Sequence, residues 1–158
     1  MKLSTRGQYA VMAMVDLAKH NNQNEPTSLS AIAVRQNISL PYLEQLFSRL
    51  RKSHLVTSVR GPQGGYFLAL EATAIKIADI IDAADEDIKI AICAGSNGVI
   101  CGKESVCHTT SLWKALADHI DAFFENITLE DLVVGKPLAN LFKLEPDMGL
   151  TSSAVNSY

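Results

Sequence analysis

Apolar residues recur near the start of the chain at helical spacing: Val11, Met14, Val15 and Ala18 stand at i, i+3, i+4 and i+7. They predict a first helix from Thr5 to about His20 with these four inward, and the nearby Met1 and Met12 read as core too. A polar loop containing Pro26 follows. Ser28 is placed to cap a short second helix that turns Leu29, Ile32 and Ala33 inward, and Asn37-Ile38-Ser39 breaks it. Ser39 then stands as the cap of a third helix, whose first turn takes Pro41 without losing an intrahelical bond. On that helix Leu43, Leu46, Phe47 and Leu50 form one face. Tyr42, Glu44, Gln45, Ser48, Arg49 and Lys52 form the opposite one.

The period then drops from 3.6 to 2. Val56-Thr57-Ser58-Val59 and Tyr66-Phe67-Leu68-Ala69-Leu70 read as two strands. Between them Arg60-Gly61-Pro62-Gln63-Gly64-Gly65 suits a tight, exposed turn, because Gly supplies positive φ and Pro fixes its own. Helix–turn–helix followed by a hairpin predicts a winged helix, mainly α with a small β-hairpin wing. Ile77, Ile80 and Ile81 mark a short helix from Ile75 to Ala84. From about Ser111 to Asn126 a long helix carries Leu112, Leu116, Ile120 and Phe123 on one face and Trp113, Ala117 and Phe124 on another. A helix apolar on two faces in so small a chain needs a second surface, and another copy of itself is the simplest one. Thr128 and Asp131 have the spacing of a capping box for a last short helix. The expected organisation is therefore a winged-helix domain at 1–84, a cysteine-bearing loop at 85–108, a dimerisation helix with a short terminal helix at 109–133, and a flexible tail at 134–158.

Composition sharpens this picture. At 158 residues, 47% of them hydrophobic, the chain can bury one real core. It holds no apolar run long enough to cross a membrane and its start does not look like an export signal, which points to the cytoplasm. The net charge of −3 is unevenly spread. Residues 1–70 hold eight Lys and Arg against three acidic residues, whereas residues 71–158 hold six Lys against fourteen Asp and Glu. A basic first half on an acidic chain fits a module that faces double-stranded DNA.

Chemistry follows from these placements. A third helix in the major groove would let Gln45 bond an adenine edge, while Arg49, Arg51 and Lys52 hold backbone phosphates. Glu44 is repelled by phosphates and by the acceptor edge of guanine but accepts from cytosine N4, so it should discriminate between sequences. Pro41 and Tyr42 open the same helix. Arg60, flanked by Gly61 and Pro62, is suited to a narrow minor groove. Cys93, Cys101 and Cys107 fall within fifteen consecutive residues. Their spacing is not that of structural zinc knuckles; the thiolates suit a loop wrapped round an iron–sulfur cluster, with zinc or copper(I) as other soft-metal options. His108 adjoins Cys107 and offers a fourth ligand, with Glu104 as another. No phosphate loop, H-E-x-x-H motif or Ser/His/Asp set supports an enzyme.

Taken together, Met1-Lys2-Leu3-Ser4-Thr5-Arg6-Gly7-Gln8-Tyr9-Ala10-Val11, Ile38-Ser39-Leu40-Pro41-Tyr42-Leu43-Glu44-Gln45-Leu46-Phe47-Ser48-Arg49-Leu50-Arg51-Lys52, Ser58-Val59-Arg60-Gly61-Pro62-Gln63-Gly64-Gly65-Tyr66 and Phe124-Glu125-Asn126-Ile127-Thr128-Leu129-Glu130-Asp131-Leu132 resemble the IscR/NsrR-type family of bacterial winged-helix regulators. The resemblance spans residues 1–133. It implies a homodimer paired through the long helices and one [2Fe-2S] cluster per subunit on three Cys and one His. It further implies repression of iron–sulfur cluster assembly genes, with the assembly machinery as cluster donor. Four features depart from the pattern. The Cys93–Cys101 gap is two residues longer, Thr110 stands where the ligand His is expected, and Gln8 occupies a place where some relatives carry an acidic ligand. Pro41 replaces a Ser. The competing reading is a zinc-stabilised, or redox- or nitric-oxide-sensing, winged-helix regulator of other genes.

Overall fold

In the computed structural model the described residues are 5–20, 25–61, 63–84 and 109–138. Among them the chain runs α1 (Thr5–Lys19), α2 (Leu29–Gln36), α3 (Leu40–Lys52), β1 (Val56–Val59), β2 (Gly65–Leu68), α4 (Ile77–Ala83), α5 (Thr110–Glu125) and α6 (Leu129–Val133).

Helix α1 is the central element, touching α2, α3, α4, α6 and β2. That position explains a difference from the expected stripe. Ala10, Ala13, Met14 and Leu17 are fully buried, while Val11, Val15 and Ala18 are only partly so. A helix with neighbours on several sides buries a broader arc than one i, i+3, i+4, i+7 row. Met12, expected in the core, lies on the remaining arc and is 40% exposed.

The helix–turn–helix forms as its capping residues dictate. Ser28 Oγ accepts from the Ala31 amide, 3.2 Å away, at the start of α2. Asn37 ends α2 in the left-handed region at φ 53°, a conformation that Asn tolerates better than most residues. Ser39 is the cap position of α3, but its hydroxyl makes no capping hydrogen bond; Pro in the first turn has already removed one of the donors such a cap would satisfy. Leu43, Leu46, Phe47 and Leu50 then all enter the core.

Strands β1 and β2 pair antiparallel, with Ser58 opposite Tyr66 and Val59 opposite Gly65. The outer edge of β2 is also used: Thr27 and Tyr66 exchange both backbone bonds, at 3.0 and 2.9 Å. Gly65 permits this approach, since a Cβ there would lie 2.5 Å from the Thr27 carbonyl oxygen. The second strand runs Gly65–Leu68 rather than Tyr66–Leu70, and the Ala69 amide adds one more bond in the same register, to the Leu55 carbonyl. Helix α4 begins at Ile77, two residues later than expected. Residues around it pair with the α5–α6 junction instead, Ile77 N donating to Ile127 O and Leu129 N to Ile75 O. The predicted capping box of α6 is present: Thr128 Oγ1 accepts from Asp131 N and Asp131 Oδ2 accepts from Thr128 N. No helix among the described residues is long and apolar enough to cross a membrane.

Candidate DNA-reading surface

With Leu43, Leu46, Phe47 and Leu50 committed to the core, the geometry of α3 leaves Pro41, Glu44 and Gln45 on its exposed side. Tyr42 is half-buried, its ring edge-on to Tyr9 of α1 with centroids 5.8 Å apart. Arg49, Arg51 and Lys52 crowd the last turn, where positive charge also suits the helix dipole. Arg51 and Lys52 are exposed, and Arg49 is half-buried.

The wing stands beside the end of α3. Arg60 and Gly61 are exposed at its tip, and Pro62 lies outside the described residues. The tip is closed by a bond from the Gly64 amide to the Gly61 carbonyl at 2.9 Å. Gly61 has φ 127°, which a side chain would strain. At Gly64 a Cβ would come within 2.5 Å of the Val59 carbonyl oxygen, so the chain can reverse this tightly only with Gly there. Side-chain contacts join wing and helix among the described residues. Phe47 meets Tyr66 at 4.8 Å between ring centroids, and Arg51 Nη1 donates to Ser58 Oγ at 3.3 Å.

Behind this surface sits a buried charge that pattern reading passes over. Asp16 of α1 is 3% exposed and accepts from Arg35 Nε and Nη2 and from Gln36 Nε2, all on α2. His20 Nδ1 lies 3.5 Å from the same carboxylate and donates to the Asp16 carbonyl at 2.8 Å. Burial pushes the Asp16 carboxyl upward, but the Arg35 and Gln36 hydrogen bonds and the Arg35 charge outweigh it and hold the group below the usual range. The pair fastens the first helix of the helix–turn–helix to α1.

The proposed dimer face on α5 is unevenly placed. Leu112 is 59% exposed, and Leu116, Ile120 and Phe123 are half-buried. Ala117, on the other apolar face, is the buried residue of this helix. Phe123 and Phe124 pack edge-on to each other and against the core, which anchors the C-terminal end of α5. Cys93, Cys101, Cys107, His108 and Glu104 lie outside the described residues. Among the described residues no group of His, Cys, Asp and Glu could hold a metal ion.

Ser58, Tyr66, Asp16 and Arg35 were not singled out by sequence reasoning as contributors to this surface. The alternation of Ser58 and Val56 on one face of β1 was the available signal for the first of these.

Comparison with known proteins bears on the fold and the family. The family model described as Rrf2, iron-dependent transcriptional regulator, matches residues 3–135. The HTH-type transcriptional regulator IscR of Yersinia pseudotuberculosis is 50% identical over 133 residues, covering 84% of this chain and 79% of that protein. Among solved structures, T. potens IscR is similar with a TM-score of 0.69 and 40% identity, over 90% of this chain and 93% of that one. CymR, the global cysteine regulator of B. subtilis, is similar with a TM-score of 0.71 and 37% identity, over 87% and 99%. These relatives are transcription regulators and not enzymes. With a winged helix, a polar recognition helix and a family match across most of its length, the chain belongs to the Rrf2 family of DNA-binding transcription regulators.

Proposed function

We propose that this regulator is a cytoplasmic homodimer that senses an iron–sulfur cluster and represses cluster-assembly genes. The observation that carries the DNA part is the pairing of α3 and wing. One helix face is locked into the core, so Glu44 and Gln45 project outward, and an exposed Arg60 stands at the tip of an adjoining hairpin. In this reading Gln45 and Glu44 read base edges, Arg49 and Lys52 hold phosphates, and Arg60 enters a minor groove.

Three thiolates within fifteen residues, with an imidazole beside the third, form a soft donor set that fits a [2Fe-2S] cluster. Cys93, Cys101, Cys107 and His108 would hold it, one cluster per subunit, delivered by the cell's cluster-assembly machinery. The cluster would supply ordering free energy to a segment that has few apolar residues of its own. That segment leads directly into the exposed end of α5, where Leu112 and Leu116 begin the proposed dimer face. Loss of the cluster would thus bias how two copies pair and which half-site arrangement they fit.

Anaerobic reconstitution with iron and sulfide, followed by operator binding with and without cluster, tests the proposal. A coloured protein whose cluster changes affinity for some sequence supports it, and Cys→Ala at any of the three positions should remove the visible absorption. Colourless protein carrying one zinc per chain and refusing iron would instead establish the zinc-stabilised alternative. Glu44→Ala should broaden sequence choice rather than weaken every site alike.

A further inference from the structure

The contact between wing and recognition helix has a regular construction. Ser58 and Tyr66 are cross-strand partners in the hairpin. Tyr66 spends both its N–H and its C=O on Thr27, so Ser58 and Tyr66 form a non-hydrogen-bonded pair, the kind that brings two side chains closest on one face. That face is turned to α3. Tyr66 meets Phe47 there, and Ser58 meets Arg51. Phe47 and Arg51 are four apart, hence neighbours on one helix face. Two side chains of the hairpin therefore oppose two of the helix, one pair aromatic with Phe47 buried and Tyr66 half-buried, the other polar and exposed.

We propose that this two-on-two joint sets the orientation of the wing, and that Arg51 is a positioning residue for Arg60 rather than a phosphate contact in its own right. The proposal rests on the reading that α3 and the wing lie together on DNA. The Phe47–Tyr66 half fixes where the hairpin pivots. Together with the Thr27–Tyr66 backbone bonds it holds the base of the hairpin and leaves the tip to bend. The Arg51–Ser58 bond, nearer the wing tip, restrains that bending and holds the strand that leads into Arg60. The bond fixes the direction of the guanidinium, with four of its five N–H donors left over. What Arg51 contributes to DNA binding is then chiefly the geometry it imposes on Arg60, two residues beyond Ser58.

The test is a set of binding measurements on the full-length protein with one operator duplex, by fluorescence anisotropy at several salt concentrations. The variants are Ser58→Ala, Ser58→Thr, Arg51→Ala, Arg60→Ala, and the doubles of Ser58→Ala with each Arg change. Circular dichroism melts confirm folding, which should hold because Arg51 and Ser58 are both exposed. Ser58→Ala should weaken binding roughly threefold to tenfold, the scale of one ordinary, solvent-exposed hydrogen bond. Although it removes no charge, it should also flatten the salt dependence, because Arg60 disengages. Ser58→Thr should restore both. Adding Ser58→Ala to Arg51→Ala or to Arg60→Ala should cost little more. Additive losses for Ser58→Ala and Arg51→Ala, with an unchanged salt slope in Ser58→Ala, would overturn the joint and return Arg51 to a phosphate. Arg60→Ala binding as tightly as the unaltered protein would overturn the wing reading itself, and the joint with it.

Discussion

Helices α3 and α5 begin from nearly the same pattern and end in different situations. Each carries four large apolar residues down one face: Leu43, Leu46, Phe47 and Leu50 in α3, Leu112, Leu116, Ile120 and Phe123 in α5. The first four are buried to 2% exposure or less, whereas none of the second four is. Surroundings account for the difference. Helix α3 is flanked by α1, α2, α4 and β1, so its apolar face has a filled core to enter. Helix α5 meets chiefly α4 and is pinned at its far end by Phe123, Phe124 and the Ile127–Leu129 junction. An apolar stripe therefore states a demand for burial and leaves open who meets it. Within one chain α3 has its partner, and we propose that α5 finds its partner in a second copy.

The largest effect that sharpens this contrast is on stability. Phe47→Ala should destabilise the fold by about 3–5 kcal/mol in urea unfolding, because it opens a cavity in a closed core. Leu112→Ala, at a position more than half exposed, should cost well under 1 kcal/mol in dilute solution where copies are apart. Equal losses at the two sites would erase the distinction between the helices.

The next effect reads the proposed partner. Leu116→Asp places a charge in the middle of the α5 face, which should yield monomers in analytical ultracentrifugation. Operator affinity should fall about 100-fold, since two half-sites are no longer held by one molecule. A mutant that remains dimeric would remove this face from the interface and leave its half-buried residues to the chain's own body.

How far the sequence carries depends on the range of the interaction. Contacts within a few residues were legible: the Ser28 and Thr128 caps, the Asn37 break, the Leu43–Leu50 stripe and the strand at Val56–Val59 all stand where local chemistry puts them. Contacts between distant segments were not. Asp16 and Arg35 lie nineteen positions apart, and an acidic residue in an amphipathic helix reads as solvent-facing until the fold shows it buried. Thr27 looks like loop until its backbone pairs with Tyr66. At the candidate site the bond between Arg51 and Ser58 was not legible either, because nothing local shows that Ser58 returns to Arg51.

The Asp16 pair supplies a third comparison, between a charge that is well met and the loosely met surfaces of α5. Asp16→Asn should cost about 1–3 kcal/mol, because Arg35 and Gln36 then share one acceptor oxygen in place of two. The sign with pH is fixed by the lowered carboxyl in the folded chain. Its contribution is complete above the unfolded value of about 4 and is lost as pH falls through the lower folded value. The gap between the two proteins in equilibrium unfolding should therefore be constant at neutral pH and narrow in acid. A gap indifferent to pH would mean that the charge of Asp16 is not what fastens α2.

The smallest effect concerns the seam between α4 and α5. Asp82 on α4 lies near Asp121 and Glu125 on α5 and near Asp79 of its own helix, and Lys76 stands 3.7 Å from Glu125. Partial burial, then repulsion from Asp121, Asp79 and Glu125, pushes the Asp82 carboxyl above its ordinary value. A raised carboxyl reverses the sign found at Asp16: its ionised form opposes folding, so stability is highest in acid and declines as pH rises through the folded value. Asp82→Asn should thus raise the melting temperature by about 1 °C at neutral pH, a small gain because the side chain is largely in water and salt screens it. Below about pH 4 the gain should vanish, because Asp82 is then neutral in the folded and the unfolded chain alike. If the gain persisted in acid, or failed to shrink in high salt, repulsion across the seam would not be its cause. The modest anchoring of α5 would then have to be explained by packing alone.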